Sequence, residues 1–388
     1  MSERPALRAT KARLRDKFFR TKWLVAFIAV AVLLFFGRVT NIRPLSQSAL
    51  VIGVGIDLAD DGFDVSALSV VVSGGDGATP SEAYVVTSAQ GATVSEALDK
   101  ISQKMGLLVS LSHCNVLVLS PRAFSVDHVR LLLPLVSSFS LPEQAAVTAT
   151  ESKPSDVLAA RTATDASAFF VQASLLQNLG GDGIALVTVK DFLAASLSRS
   201  GSVNIPVIDI REPEHQPSGQ SGGGEVKELV MGRNLVVHGG ETFFLEEDLA
   251  QAATMLVRDK VKGRLSVTLR DGTAVELRVI DASPSLSADG MSVHASLSVT
   301  ASFLEVQHAA GSSPVTPSDD IVRVAADQAA RDLEHRLLAC HALALEHSAD
   351  FLGLENEVYK HIGYTLPQNC LADIAFSCSV TVTVKESG

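Results

Sequence analysis

The chain contains few aromatic residues, few cysteines and no apolar run as long as a standard membrane-spanning helix. Aromatic residues make up 5% of its 388 residues, and the four cysteines form no CxxC pair. The spacing of the cysteines therefore gives no redox or zinc-binding motif. Hydrophobic residues make up 47% and charged residues 19%. This balance is typical of a packed globular body and excludes a disordered chain.

Complete phosphate-binding glycine motifs are missing as well. Gly53-Val-Gly55 has the first two glycines of a dinucleotide-binding loop, but Leu58 stands where the third is expected. The tetrapeptide Gly-Gly-Asp-Gly occurs at 74–77 and again at 180–183, and neither copy is followed by the Lys-Ser or Lys-Thr pair that holds a nucleotide's phosphates. We interpret these glycines as close strand packing and turns.

Histidine and cysteine side chains are poorly placed for catalysis. His113 and Cys114 are adjacent, and adjacent residues of a strand point to opposite faces. His335, His341 and His347 follow one another in six-residue steps on one predicted helix, whereas a helical zinc pair needs a four-residue step. We expect these three to face solvent or a partner. The sequence predicts no catalytic residue, no cofactor, no metal ligand and no enzymatic activity.

Positive charge is concentrated at the N-terminus. The net charge of −11 divides into +6 for residues 1–22 and −17 for the remainder. An acidic body does not suit nucleic acid, whose binding depends on neutralising phosphates with Lys and Arg. The basic tail 1–22 predicts a cytoplasmic N-terminus, because positive flanks stay on that side of a membrane.

An apolar run of 15 residues, 23–37, follows the basic tail. It is shorter than the roughly 17 to 25 residues of a spanning helix, but Lys22 and Arg38 can extend toward the headgroups and lengthen the effective span. No small-residue cleavage site follows the run. We favour an uncleaved single-pass anchor, with the body on the extracytoplasmic side. A cleaved signal peptide and a buried soluble helix are the alternatives.

The remainder predicts an α+β fold, an exported multi-domain body of mixed and antiparallel sheets with packed helices. The segment 213–224 lacks large apolar residues and is rich in Gly, Ser and Pro, which is typical of a solvated linker. It separates an N-terminal α/β region, 43–212, with room for two subdomains, from a C-terminal α+β domain, 225–388.

Individual elements follow from local patterns. Two branched runs, 50–56 and 63–72, flank turn residues and predict a hairpin. Thr93 and Glu96 fit a capping box at a helix start. A further helix is predicted at 165–179, and residues 188–191 begin another. The alternation at 292–299 fits a strand of a sheet with one packed face and one solvated face. A strand at 228–238, helices near 246–258 and at 319–348, and a final strand at 374–384 complete the second half.

The four cysteines allow three pairings in an oxidising compartment, and their spacing does not select among them. Cys114 and Cys340 lie in apolar segments, so buried free thiols are the favoured interpretation. A bridge from Cys370 to either Cys378 or Cys340 stays open.

Five phrases occur in order along the chain. They are LSQSALVIGVGID at 45–57, QGATVSEA at 90–97, Ser-His at 112–113 with VLVL at 116–119, LVVHGGETFFLEED at 235–248, and ADFLG at 349–353. Together they resemble the C subunit of bacterial nutrient germinant receptors, the Ger(x)C spore germination family.

The resemblance implies a non-catalytic subunit on the outer face of the inner spore membrane, acting in spore germination. Its implied partners are the membrane, a polytopic permease-like subunit and a third subunit with soluble domains. Family members are usually lipoproteins whose signal ends in Gly-Cys. Here Gly37 is followed by Arg38, so lipidation at that position is excluded. An anchored partner-binding or solute-sensing module unrelated to germination is the alternative function, and a secreted hydrolase is a further rival.

Overall fold

The computed structural model describes residues 22, 27–30, 48–73, 81–160, 184, 186–212, 227–307, 319–363, 367 and 369–385. Several predictions lie outside these residues: Arg38, residues 1–21 of the basic tail, the glycine tetrapeptides at 74–77 and 180–183, a helix predicted at 165–179, and the linker 213–224. They stay predictions.

The chain divides into two compact units, residues 1–48 and 49–388. In the first unit, residues 27–30 of the predicted anchor are helical, and the side chains of Phe27, Ile28 and Val30 are more than half exposed. Within the described part of the chain, no helix combines the length and apolar character needed to cross a membrane. The rest of the predicted anchor, 23–26 and 31–37, is outside the described residues.

Strands and helices alternate through the second unit. The strands are β1 Ser48–Ala59, β2 Gly62–Ser73, β3 Ser81–Gly91, β4 Leu108–Ser110, β5 Val116–Leu119, β6 Ala146–Ala149, β7 Ser202–Arg211, β8 Glu228–His238, β9 Glu241–Leu245, β10 Gly263–Thr268, β11 Ala274–Asp289, β12 Ser292–Gln307 and β13 Ala375–Lys385. The helices are α1 Val94–Met105, α2 His128–Ser138, α3 Pro154–Ala159, α4 Val189–Ser196, α5 Glu247–Val257, α6 Asp319–Glu346 and α7 Leu354–Ile362, with 3-10 turns at Pro121–Ser125 and Leu371–Asp373. The α+β fold class is confirmed.

The first sheet has the order β3-β2-β1-β5-β6-β7-β8-β9, with β4 also paired to β1. Its centre is parallel, because β1 pairs with β5, β5 with β6 and β6 with β7 in that sense. Its flanks are antiparallel hairpins. Strands β5 and β6 are buried along their whole length, as expected for parallel strands covered on both faces. The predicted hairpin of β1 and β2 is confirmed, with Ala59 opposite Gly62.

The second sheet has the order β10-β11-β12-β13. The first three strands are antiparallel, and β13 pairs with β12 in parallel. Along β12 buried and exposed residues alternate, which is the pattern of a sheet with one packed face and one solvated face. Helices α5, α6 and α7 cover the packed face and contribute Met255, Leu337 and Val358 to its core.

The strands on either side of residues 213–224 belong to one sheet. Strand β7 pairs with β8 from Ser202 opposite His238 to Arg211 opposite Glu228. The first sheet therefore continues beyond these residues into β8 and β9. The sequence predicted a strand at 228–238 followed directly by a helix. It did not predict β9, which lies between the two and pairs with β8.

The predicted helix starts are confirmed. The Thr93 hydroxyl accepts the N–H of Glu96, and the Glu96 carboxylate accepts the N–H of Ala92. Thr188 and Asp191 form a reciprocal capping box at the start of α4. Each pair satisfies amides that the first helical turn leaves without an intrahelical acceptor.

Candidate functional site at the carboxyl edge of the first sheet

Four parallel strands end at the same edge of the first sheet. Asp57 lies near the end of β1, Ser120 follows β5, Glu151 follows β6, and Asp209 lies near the end of β7. Ligands of α/β sheets bind outside the carboxyl ends of parallel strands. We call the group formed by Asp57, Arg122, Glu151, Asp209 and Arg233 the carboxyl-edge surface.

Asp57, the acid of the Gly-Ile-Asp phrase, is the centre of the first half of this surface. Its Oδ1 accepts the hydroxyl of Ser120 and the N–H of Leu58, and it lies 3.7 Å from Nε of Arg122. The Arg122 guanidinium also donates to the carbonyl of Leu58. These bonds join the end of β1 to the turn after β5.

Gly55 of the same phrase has a packing reason to be glycine. A Cβ at this position would lie 2.5 Å from Oγ of Ser66 and 2.8 Å from Cβ of Pro154. Real Cβ atoms do not approach other atoms so closely, so a larger side chain would displace β2 or α3. The interpretation of these glycines as close strand packing is confirmed at Gly55.

Arg233 is the centre of the second half. It forms ion pairs with Glu151 and with Asp209, the latter at 2.8 Å, and its guanidinium lies over the ring of Phe244 at 5.0 Å. The hydrogen bond to Glu151, and after it the one to Asp209, raise the pKa of Arg233. Asp209 also accepts the N–H of Glu151 at 2.9 Å. Strands β6, β7 and β8 are therefore joined by one charged network.

Two cavities meet at Phe63 beside the Asp57 half. The first, about 420 Å³, is polar and is lined by Asp57, Asp60, Asp61, Asp64 and Arg122 among others. The second, about 370 Å³, is mainly apolar and is lined by Val94, Val126, Leu131 and Pro134. Both volumes fall within the range of small-molecule sites. Among the described residues, no group of His, Cys, Asp and Glu has the arrangement of a metal site.

The residues weighed for nucleophilic chemistry do not come together. His113 is exposed, whereas Cys114 is buried in the turn before β5. Burial raises the pKa of the Cys114 thiol to about 12, so at neutral pH it is a protonated core residue, and the thiolate is the reactive form. All four cysteines are free, as the favoured interpretation has it.

Part of the interpretation of the α6 histidines is wrong. His335 is exposed, but His341 is half-buried against the ring of Phe376, with 4.8 Å between ring centroids. Burial lowers the pKa of His341. His347, just after the end of α6, is exposed as expected and stacks on Phe243 with 3.9 Å between ring centroids. Helical periodicity alone does not show which outer residues meet a neighbouring strand.

The phrase at 349–353 has a structural role. Asp350 is 2% exposed, and its two carboxylate oxygens accept the N–H groups of Leu354 and Glu355 at 2.9 and 2.8 Å. Burial raises the pKa of Asp350 to about 6, although these hydrogen bonds lower it and Glu355 adds a smaller upward shift. Next along α7, Asn356 Oδ1 accepts the N–H of Arg199 at 3.1 Å. The start of α7 therefore joins the two halves of the unit.

The fold defines a mixed α+β body with a polar edge on its first sheet, and comparison with known proteins identifies its class. Residues 41–210 match the family model for the spore germination protein N-terminal domain. This part of the chain belongs to that domain family, and the resemblance to Ger(x)C spore germination proteins is confirmed. The first three phrases, including Gly55 to Asp57, lie inside the match.

One solved structure is similar over most of its length. The crystal structure of the GerBC protein matches with a TM-score of 0.45 and 12% identity, over 86% of this chain and 96% of that chain. No curated protein sequence matches.

Proposed function

We propose that the protein is a non-catalytic, membrane-anchored subunit of a nutrient germinant receptor, with its body on the extracytoplasmic side. The observation that carries the proposal is the match of residues 41–210 to a spore germination domain. Cys114 is buried and its pKa is raised to about 12, so this thiol is protonated at neutral pH and does not act as a nucleophile.

The carboxyl-edge surface is the part of the body best suited to contact a partner subunit. It offers three carboxylates and two guanidinium groups on one sheet edge, and the side chain of Arg122 is 62% exposed. Charges on such a surface mainly determine which partner binds, because the partner must carry complementary charges. They contribute less to the strength of binding. The partners would be a polytopic permease-like subunit and a third subunit with soluble domains.

Deleting the gene tests the receptor role. Spores that lack the chain are expected to lose nutrient-triggered germination, measured as the fall in optical density and in heat resistance after nutrients are added, and a wild-type copy should restore it. Normal nutrient germination without the chain, for every nutrient to which the parent spores respond, would contradict the proposal.

Charge reversal tests the surface. In Arg122→Glu, we expect co-purification of the polytopic subunit to fall at least tenfold, because a cation of the surface becomes an anion beside Asp57. Arg323→Glu is the matched control: Arg323 is 71% exposed and pairs with Asp320 at the start of α6. Equal recovery with both variants would exclude this surface while leaving the receptor role intact.

Topology tests the anchor. A tag after Gly388 should be digested by protease added outside intact membranes, whereas a tag at Met1 should be protected. Alkaline carbonate should leave the chain in the membrane, because the anchor at 23–37 is proposed to be retained. Protection of the C-terminal tag, or release by carbonate, would overturn this part of the proposal.

A further inference from the structure

A small cavity with both polar and apolar lining lies beside the second half of the first sheet. It has a volume of about 80 Å³ and lies between β7, β8, α4 and α5. Asn204, Asn234, Thr254, Asp191 and Arg258 contribute its polar lining. No motif singled out in the sequence points to it.

Two of the residues that line the cavity, Asn204 and Asn234, have carboxamide oxygens without hydrogen-bond partners in the described part of the chain. Asn234 is 3% exposed, and its Nδ2 donates to the hydroxyl of Thr254 at 3.1 Å. Oδ1 of Asn234 and Oδ1 of Asn204 are both buried, and neither has a partner among the residues that the structure describes. Rotating the Asn234 carboxamide would not help, because it would exchange an unpaired acceptor for an unpaired donor.

Strand register places the two oxygens on one face. In the antiparallel pair β7–β8, Asn204 lies opposite Val236, and Pro206 lies opposite Asn234. Residues two apart on a strand share a face, so Asn204 and Asn234 are diagonal neighbours, close enough for one small molecule to contact both. The irregularity of β7 falls after Pro206 and leaves this pairing regular.

The charges around the cavity cancel. Nη1 of Arg258 lies 3.4 Å from Oδ2 of Asp191, so one cation and one anion face each other at its edge. The remaining polar groups are amides and hydroxyls. A charged ligand would find no net counter-charge, and an apolar ligand would leave the two oxygens unpaired, which is unfavourable in a buried site.

We propose that this cavity binds a small uncharged polyol. Neighbouring hydroxyls of the polyol donate to Oδ1 of Asn204 and Oδ1 of Asn234, and one hydroxyl oxygen accepts from the guanidinium of Arg258. About 80 Å³ is open to the centre of a water-sized sphere, and one water needs roughly 10 to 15 Å³ on this measure. A short polyol therefore supplies in one molecule the hydroxyl groups that several separate waters would supply.

Titration calorimetry on the full chain in detergent tests the inference, with erythritol and glycerol as probes and 1-propanol as the control. We expect saturable binding of erythritol or glycerol at millimolar concentration and none of 1-propanol, which has a single hydroxyl. Asn204→Leu removes one acceptor and fills part of the cavity, so affinity should fall at least tenfold. Gln307→Leu, at the exposed end of β12, should bind as the unaltered chain does.

A second measurement keeps the test decisive if Asn204→Leu fails to fold. In the unaltered chain, the side-chain amide resonances of Asn204 and Asn234 should shift saturably with erythritol and stay unchanged with 1-propanol. Absence of saturable binding, equal binding by Asn204→Leu, or a crystal soaked in erythritol that shows only water in the cavity would each overturn the proposal.

Discussion

In the first sheet, β5 and β6 are buried from end to end, whereas in the second sheet β12 alternates between buried and exposed residues. Separate cores lie on the two faces of the first sheet: Leu117 of β5 belongs to one and Val118 to the other. A strand covered on both faces has room for charged groups only where it ends. The polar chemistry of the first sheet is therefore concentrated at its edge.

The second sheet spreads its polar groups over a whole face. Ser298 of β12 lies between Ser283 of β11 and Thr381 of β13. Nearby, the ring of His294 bonds the hydroxyls of Ser377 and Ser379 at 3.0 and 3.1 Å. Small hydroxyls on a solvated face cost little to keep. The charged residues of this face are spread along the strands, where Arg264 lies opposite Arg278 and Glu276 lies opposite Glu305. In the first sheet, by contrast, the charged residues of the proposed partner surface meet where the parallel strands end.

The largest expected effect separates the two sheets directly. Leu117→Ala removes a fully buried side chain from β5 and should lower the free energy of unfolding by about 2 to 5 kcal/mol. Ser298→Ala, on the solvated face of β12, should change it by less than about 0.5 kcal/mol. Urea unfolding followed by circular dichroism measures both. Similar losses in the two variants would break the comparison.

The second effect concerns a carboxylate that is buried instead of lying at an edge. The pKa of Asp350 is about 6 in the folded chain against an ordinary value of 3.8. Between these pH values the folded chain holds a proton that the unfolded chain releases, so the free energy of unfolding falls as pH rises through this window.

Asp350→Asn removes this titration. From pH 4 to pH 7, the free energy of unfolding of the variant should improve relative to the unaltered chain by up to about 3 kcal/mol, because one pKa unit corresponds to about 1.4 kcal/mol. Urea midpoints at four pH values measure the difference. A difference that does not change with pH would show that Asp350 titrates normally.

The smallest effect tests how closely the first sheet is packed at Gly55, within the phrase at 45–57. Gly55→Ala places a Cβ against Ser66 and Pro154 and should cost about 1 to 3 kcal/mol. At Gly232 in β8, the nearest atoms to a new Cβ belong to the Glu247 side chain, at 3.6 Å, so Gly232→Ala should change stability by less than about 1 kcal/mol. Thermal unfolding compares the two. Equal costs would mean that α3 can move away from β1.

Local patterns predicted most elements correctly. Thr93 and Thr188 begin helices through hydroxyls that reach amides three residues ahead, and such contacts depend on a few neighbouring residues. The hairpin of β1 and β2, the alternation of β12 and the length of α6 have the same local origin. These features could be inferred before any tertiary contact was known.

The pairing of the strands was harder to predict from the sequence than the elements themselves. The parallel centre of the first sheet brings β1 beside β5 and β6 beside β7, and no local period records which strands will meet. Strand β9 has five residues and follows two glycines with positive φ, Gly239 and Gly240. A segment this short is equally consistent with a loop that leads into α5.

Only half of the candidate site could be predicted from the sequence. Asp57 belongs to a phrase that the sequence displays, but its partner Arg122 is 65 positions away, and Arg233 has no motif around it. The unpaired oxygens of Asn204 and Asn234 gave no signal, because the sequence does not show whether a polar side chain in a strand is buried. Only burial makes an unpaired amide informative.

The sequence alone determined the α+β class, the helix starts and the family resemblance, because each is built from patterns that are local to short stretches of chain. The anchor at 23–37 stays a prediction. The tertiary structure decided which strands pair, which carboxylates share an edge, and which polar groups are removed from water. Those properties depend on residues far apart in the sequence, such as Asp57 and Arg122, which are 65 positions apart, and Glu151 and Arg233, which are 82 positions apart. They are set by how two sheets and their helices exclude solvent together.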